Sequence, residues 1–286
     1  MRIGCYLPLT VENIKRAKKL GYEALEVHAG WLTEPGLQTL ERSLPGLVEE
    51  LAAEETAVTA VTIGGDTIRV PVADAVAYYG RAMNVARELG CHLVVGRTGR
   101  DPGLRMDENL SLYTARFAPI ARMAADRGVS VALDPWPGDV CGDGPLHWEN
   151  LATSPEMYDR LFDAVPDSTL GIEYDASHYA WQGIDYLQVF REYGTRVLHM
   201  RAKDVLVDAA QLRRVGVLGP DWWRYAIPGL GQIDWPGLFS VARQAGYAGD
   251  IAVENRDRNY QADRINEGLQ VALKALKPLI EEHWPE

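Results

Sequence analysis

Cysteine is scarce in this chain: three residues, Cys5, Cys91 and Cys141, far apart and without a CxxC pair. An odd, scattered set argues against a disulfide framework and a thiolate zinc site, and it fits a reducing cytoplasm. Positive charge is also short, since 29 Lys and Arg against 40 Asp and Glu leave a formal net charge of −11. Long-range attraction to nucleic acid or to an anionic membrane is therefore disfavoured, although a local basic pocket can still hold an anionic substrate. Long apolar runs are missing: no stretch approaches the roughly 20 residues that a bilayer-spanning helix needs. The opening MRIGCYLPLTVENIKRAKKLGYEAL lacks a basic region followed by an apolar run and a small-residue cleavage site. No GxGxxG or P-loop follows the first apolar segment, which weighs weakly against a doubly wound open sheet.

What is present is a repeated phrase: a helical pattern, a glycine, then a short apolar run. AKKLGYEALEVHAG, ARELGCHLVVG, AADRGVSVALDPW, FREYGTRVLHMRAKD and ARQAGYAGDIAVEN place Gly21, Gly90, Gly128, Gly194 and Gly246 where a helix would end. Glycine suits that spot because the residue after a helix often takes a left-handed backbone. In AVAYYGRAMNVARELG, Val76, Tyr79, Met83 and Ala86 recur at spacings of three and four and give one buried face. The apolar runs predict strands at about 2–7, 24–28, 57–63, 92–95, 129–134, 170–174, 197–202 and 250–254, each followed by a helix. That is the count of an α/β fold of the (β/α)8 TIM barrel type, one domain over 1–286. The segment at about 205–233 is too long for an ordinary connection. Its Trp222, Trp223, Tyr225 and Pro228 predict packed order, over the barrel mouth or against another copy in a homo-oligomer.

In such a barrel the C-terminal strand ends converge on one face, where chemistry belongs. Those ends carry His28, Asp134, Asp175, His178, His199, Arg201 and Glu254. Carboxylates with some imidazole suit a hard divalent cation such as Mn²⁺ or Mg²⁺, which polarises vicinal sugar oxygens while a free carboxylate moves a proton. The plainer reading of a lone acid at a strand end is a helix cap, and Asp175, with Ser177 beside it, fits that too. His147 and His283 read as surface residues, His92 as a residue of the opposite face, and the EEHWPE tail as solvated.

From about Asn150 to Asp257 the chain resembles the sugar-phosphate isomerase/epimerase branch of the xylose isomerase-like barrels, also called AP endonuclease family 2. The resemblance rests on D-x-S-H-x-x-W-Q-G-I-D and W-W-R-Y-x-x-P-G-x-G-x-I-D-W. It implies a metal site with a glutamate on strand five, an aspartate on strand six, a histidine on strand seven and a glutamate on strand eight. Asp175 and Glu254 match, and His178 matches a residue that faces substrate. Asp134 stands where the family has a glutamate, and in VLHMRAKD Arg201 stands where it has the ligand histidine. An arginine offers no lone pair to a metal. Three outcomes follow. Arg201 pairs with Asp134, Asp175 or Glu254 and replaces the metal's charge, which is the favoured outcome because buried carboxylates and a guanidinium satisfy one another. Alternatively His199, two residues away on the same strand face, takes over coordination, or Arg201 turns outward to a substrate anion while the carboxylates keep an ion.

The resemblance thus implies a carbohydrate isomerase- or epimerase-like enzyme, with lyase or dehydratase chemistry also in range. Its substrate would be a small sugar, polyol or keto-acid relative. Asp134, Glu254 and His178 are the expected catalytic residues. His178, Arg201, Lys203, His199 and Trp136 are the expected substrate contacts. Asp134, Asp175 and Glu254 are the expected ligands if Mn, Mg or Zn binds at all. The alternative is a catalytically decayed, metal-free ligand-binding or partner subunit. Cleavage of abasic DNA is disfavoured by the net charge and by the shortage of histidines for a trinuclear zinc centre.

Overall fold

Short apolar segments, too short to be amphipathic helices and buried on both faces, hydrogen-bond side by side into a closed cylinder. In the computed structural model, which describes residues 1–32, 36–138 and 148–285, eight parallel strands form it. Cys141 and His147 lie outside the described residues. The first four barrel strands are β1 (Ile3–Pro8), β2 (Ala24–Trp31), β3 (Ala57–Gly64) and β4 (Leu93–Gly96). The next are β5 (Ser130–Leu133), β6 (Leu170–Tyr174) and β7 (Val197–Ala202), and after a two-stranded hairpin of β8 (Asp204–Val207) and β9 (Trp223–Ala226) the barrel closes with β10 (Ile251–Val253). Ile3 pairs with Ile251, joining β1 to β10. The fold is a single-domain (β/α)8 barrel, as the repeated phrase predicts.

The helices cover the cylinder: α1 (Val11–Leu20), α2 (Gly36–Ala53), α3 (Val72–Glu88), α4 (Met106–Arg127) and α5 (Pro155–Ala164) follow the first five strands. Two short helices, α6 (Ala176–Trp181) and α7 (Tyr186–Tyr193), follow β6, α8 (Ala209–Val215) lies inside the hairpin, and α9 (Trp235–Gln244) and α10 (Ile265–His283) complete the ring. Tyr79 of α3 is buried edge-on to Phe117 of α4 (5.9 Å), which in turn stacks on Tyr113 at 4.6 Å. Such pairs add about 0.5–1.5 kcal/mol beyond their buried area.

Two expectations need correction. Gly21, Gly90, Gly128 and Gly246 do take positive φ, but Gly194 has φ −52°. Packing demands it instead, because a Cβ there would stand 2.7 Å from that of Ala245. The EEHWPE tail is not wholly solvated: Trp284 packs on Phe239 (5.7 Å) and its Nε1 donates to the Tyr247 carbonyl at 3.1 Å.

The aromatic segment is the hairpin with α8 at its far end. Asp204, fully buried, fastens its base by accepting from the amides of Gly229 and Ile233 and from Trp235 Nε1, at 3.0–3.1 Å. Trp223 lies flat on Trp181 at 4.5 Å, and Trp222 is buried beside them. This packing aims Tyr225 into the barrel mouth.

Candidate active site

Residues two apart on a strand share a face, so β7 and the residue after it send His199, Arg201 and Lys203 inward at three successive depths. Lys203, 2% exposed, is the uppermost. Its Nζ lies 2.7 Å from Glu254 Oε2, 3.0 Å from Asp175 Oδ2 and 3.1 Å from His178 Nε2. Three ammonium protons thus face three acceptors, although the Asp175 contact is an ion pair rather than a well-aligned hydrogen bond. Burial opposes the charge on Lys203, but Asp175 and Glu254 outweigh it and raise the pKa above 10.5. Because Lys203 donates to Nε2, the His178 proton belongs on Nδ1, which faces Tyr225 Oη at 3.1 Å. Burial and then Lys203 hold His178 well below its usual 6.5, so it is neutral.

Asp175 serves two partners. One carboxylate oxygen caps α6, accepting from the Ser177 amide at 3.0 Å and the Ser177 hydroxyl at 2.6 Å, while the other faces Lys203. The capping reading and the site reading are both true of it.

Below Lys203, Arg201 clasps Glu26 through Nε (3.2 Å) and, more closely, through a terminal nitrogen. Its other terminal nitrogen donates to Asp134 Oδ2 at 3.0 Å, and Glu254 stands 3.7 Å away. Burial would raise Glu254, but Lys203, Arg201 and Arg256 hold it well below the usual carboxylate range; Asp134 is lowered against burial chiefly by Arg201. Under Arg201, His199 bridges Glu173 Oε1 and Thr59 Oγ1, each at 3.0 Å. Burial raises the Glu173 pKa; it also opposes charge on His199, yet Glu173 lifts that residue above 6.5.

Among the described residues, the other half of the mouth is open. A cavity of about 360 Å³ is lined there by Tyr6, His28, Trp31, Arg97 and Trp136, and it reaches Arg201, Lys203 and Tyr225. Volumes of this size suit small organic ligands. His28 is half-buried, and its ring stands edge-on to those of Tyr6 and Trp31 at 6.0 and 6.3 Å. Burial, then Arg201 and Arg256, lower its pKa below 6.5.

Of the expected site residues, Asp134, Trp136, His178, Arg201, Lys203 and Glu254 all line this cavity. His199 does not: it lies 1% exposed beneath the floor, so it meets Glu173 rather than a substrate. The expected metal ligands fit a cation poorly, because Asp175 and Glu254 already converge on Lys203 and Asp134 on Arg201. One deeper trio, Glu26, Glu173 and His199, offers donor atoms within 4.8 Å of one another. Arg201 already occupies Glu26 and stands 3.8 Å from Glu173, so an ion there would face a guanidinium. Sequence reasoning missed Glu26, Arg97 and Arg256. Glu26 had a readable signal, since it lies two residues before His28 and shares its inward face.

The family model described as the xylose isomerase-like TIM barrel matches residues 14–278. The chain is 27% identical over 224 residues to YfiH, an uncharacterized protein of Bacillus subtilis (strain 168), covering 71% of this chain and 70% of that one. It is 28% identical over 140 residues to an inosose dehydratase of Clostridium perfringens (strain 13 / Type A), covering 48% of this chain and 46% of the relative. A solved structure of the IolI protein with a binding zinc atom superposes with a TM-score of 0.75 at 16% identity, over all of both chains.

Proposed function

Since the chain belongs to the xylose isomerase-like TIM barrel family, we propose that it is a carbohydrate-modifying enzyme. It would act on a small sugar, polyol or keto-acid relative by moving a proton beside a carbonyl, with lysine and arginine supplying the fixed positive charge. The observation that carries this reading is the placement of Lys203 Nζ among Glu254, Asp175 and His178, with Arg201 on Asp134 below it. Two cations held by carboxylates at the cavity wall favour an oxyanion formed on the substrate, and a preorganised charge of this kind needs no reorganisation as the oxyanion develops.

In this reading Asp134 and Glu254 hold the cations rather than carry protons, because carboxylates kept this acidic are weak bases. The neutral His28 imidazole, facing the same cavity, takes the proton from the carbon next to the carbonyl. Return of that proton to a carbon gives an epimer or isomer, and its delivery to a neighbouring hydroxyl, which then leaves as water, gives dehydration. The saturation of Asp134 and Glu254 also favours a second reading, a binding subunit of the same fold without turnover.

The test is solvent deuterium incorporation into a panel of keto sugars, inososes and hydroxylated keto acids, with and without EDTA, alongside elemental analysis of the purified chain. Exchange that survives chelation in protein free of Mn, Mg and Zn is expected. Stoichiometric metal with EDTA-sensitive exchange would restore a metal-dependent enzyme, and absence of any exchange would favour the binding subunit. The double variant R201H/K203M frees the family's ligand set and is the positive control, expected to gain thermal stability with Mn²⁺ where the wild type does not.

A further inference from the structure

Arg97 follows β4 directly and is 7% exposed. Its guanidinium carbon lies 4.4 Å from the ring centre of Trp136 and 5.3 Å from that of Trp31, contacts that fix a cation between two indoles. Among the described residues its side chain donates no hydrogen bond. Its nearest carboxylate is Asp66, at 4.0 Å, which Arg69 also approaches to 3.5 Å. Arg116 shows how a guanidinium at the same burial is normally accommodated: it donates twice to the Val70 carbonyl, at 2.8 and 2.9 Å, and once to that of Leu112. A guanidinium has five N–H donors, and the Arg97 nitrogens are not among the fully buried atoms left without a partner, so they remain accessible to a ligand. They border the cavity.

Charge narrows what would pair with them. Asp134 and Glu254, the carboxylates on the cavity wall, are engaged by Arg201, Lys203 and Arg256. Among the described residues, Arg97 is left as the cation on that wall with only a distant, shared acid within ion-pair reach. One planar guanidinium matches one carboxylate through two parallel N–H···O bonds. A doubly charged phosphate would bring its second charge toward Asp134 and Glu254, where the nearby cations are already paired with those carboxylates.

We infer that Arg97, held between Trp31 and Trp136, is the binding site for a carboxylate group on the ligand, so that the substrate class is a small hydroxylated or keto carboxylic acid rather than a neutral sugar. The hydroxylated part of that ligand rests on the proposed function; the carboxylate site does not. In a 360 Å³ cavity the carboxylate end would lie against the indoles and the polyol end would point toward Lys203 and His28.

The test uses the full chain labelled with ¹⁵N-arginine and titrated at constant ionic strength with sodium acetate, sodium phosphate or sodium chloride. The Arg97 Nε–H signal is identified by its loss in R97K and R97M. Acetate is expected to shift that signal saturably, with a Kd on the order of millimolar, while phosphate binds more weakly and chloride does not saturate. R97M is expected to fold about as well as the wild type, since among the described residues the Arg97 side chain donates no hydrogen bond that the change would break. No saturable acetate shift at Arg97, or tighter binding of phosphate than of acetate, would overturn the assignment. This readout needs no turnover, so a failure of the proton-transfer reading and a failure of the carboxylate site are told apart.

Discussion

The two halves of the barrel mouth contrast. On the side of β6, β7 and β10, Asp175, Lys203, Arg201 and Glu254 are bound to one another at 2.7–3.7 Å and turn little toward a guest. On the side of β2 and β4, His28 and Arg97 meet aromatic rings and, among the described residues, make no side-chain hydrogen bonds. The difference separates two tasks. A fixed field requires charges whose contacts are complete, and recognition requires donors whose contacts are not.

The largest expected effect comes from breaking the closed half. Arg201→Ala leaves Glu26, Asp134, Glu173 and Glu254 crowded without their shared cation, and removal of one partner from a buried set costs about 3–5 kcal/mol. Urea unfolding checks it, and an unchanged midpoint would show that the closed half is not held by charge. Replacing whole buried sets by apolar residues is often neutral, so the loss reports a broken set rather than the worth of an ion pair.

The open half should behave in the opposite way. His28→Gln is expected to lower deuterium exchange about 100-fold, the lower end for loss of a general base, while shifting stability by no more than about 0.5 kcal/mol. Exchange in the wild type should also fall on the acid side of pH 6.5, because His28 must be neutral and its pKa lies below that value. A variant that exchanges at the wild-type rate would move the base elsewhere in the cavity.

A smaller effect joins the halves through His178, neutral in the fold and titrating near 6.5 once unfolded. Below pH 6.5 the unfolded chain binds the proton first, so stability present above that pH is lost as the pH falls. The slope is at most about 1.4 kcal/mol per pH unit for one group. His199 and Glu173, both raised, act in the opposite sense. The difference between the wild type and His178→Gln isolates the His178 contribution, and parallel curves of Tm against pH would place its proton outside the folding equilibrium.

Alternation of apolar runs and helix-ending glycines determined the barrel, because a strand too short to span two faces and a helix with one apolar stripe can bury themselves only against each other. The strand ends determined which residues meet at the mouth, since position at a C-terminal end is a matter of order along the chain. Ordinary alternation also placed Arg201 and Lys203 on one face. Tertiary structure alone decided their partners. Glu26 reaches Arg201 across 175 positions of sequence, Tyr225 reaches His178 from the hairpin, and Arg97 is clasped by indoles from the end of β2 and from the segment after β5. No local pattern encodes such contacts, because a side chain's partner is fixed by where the closed sheet brings distant strand ends, and only that closure determines which charges are matched and which remain for a ligand.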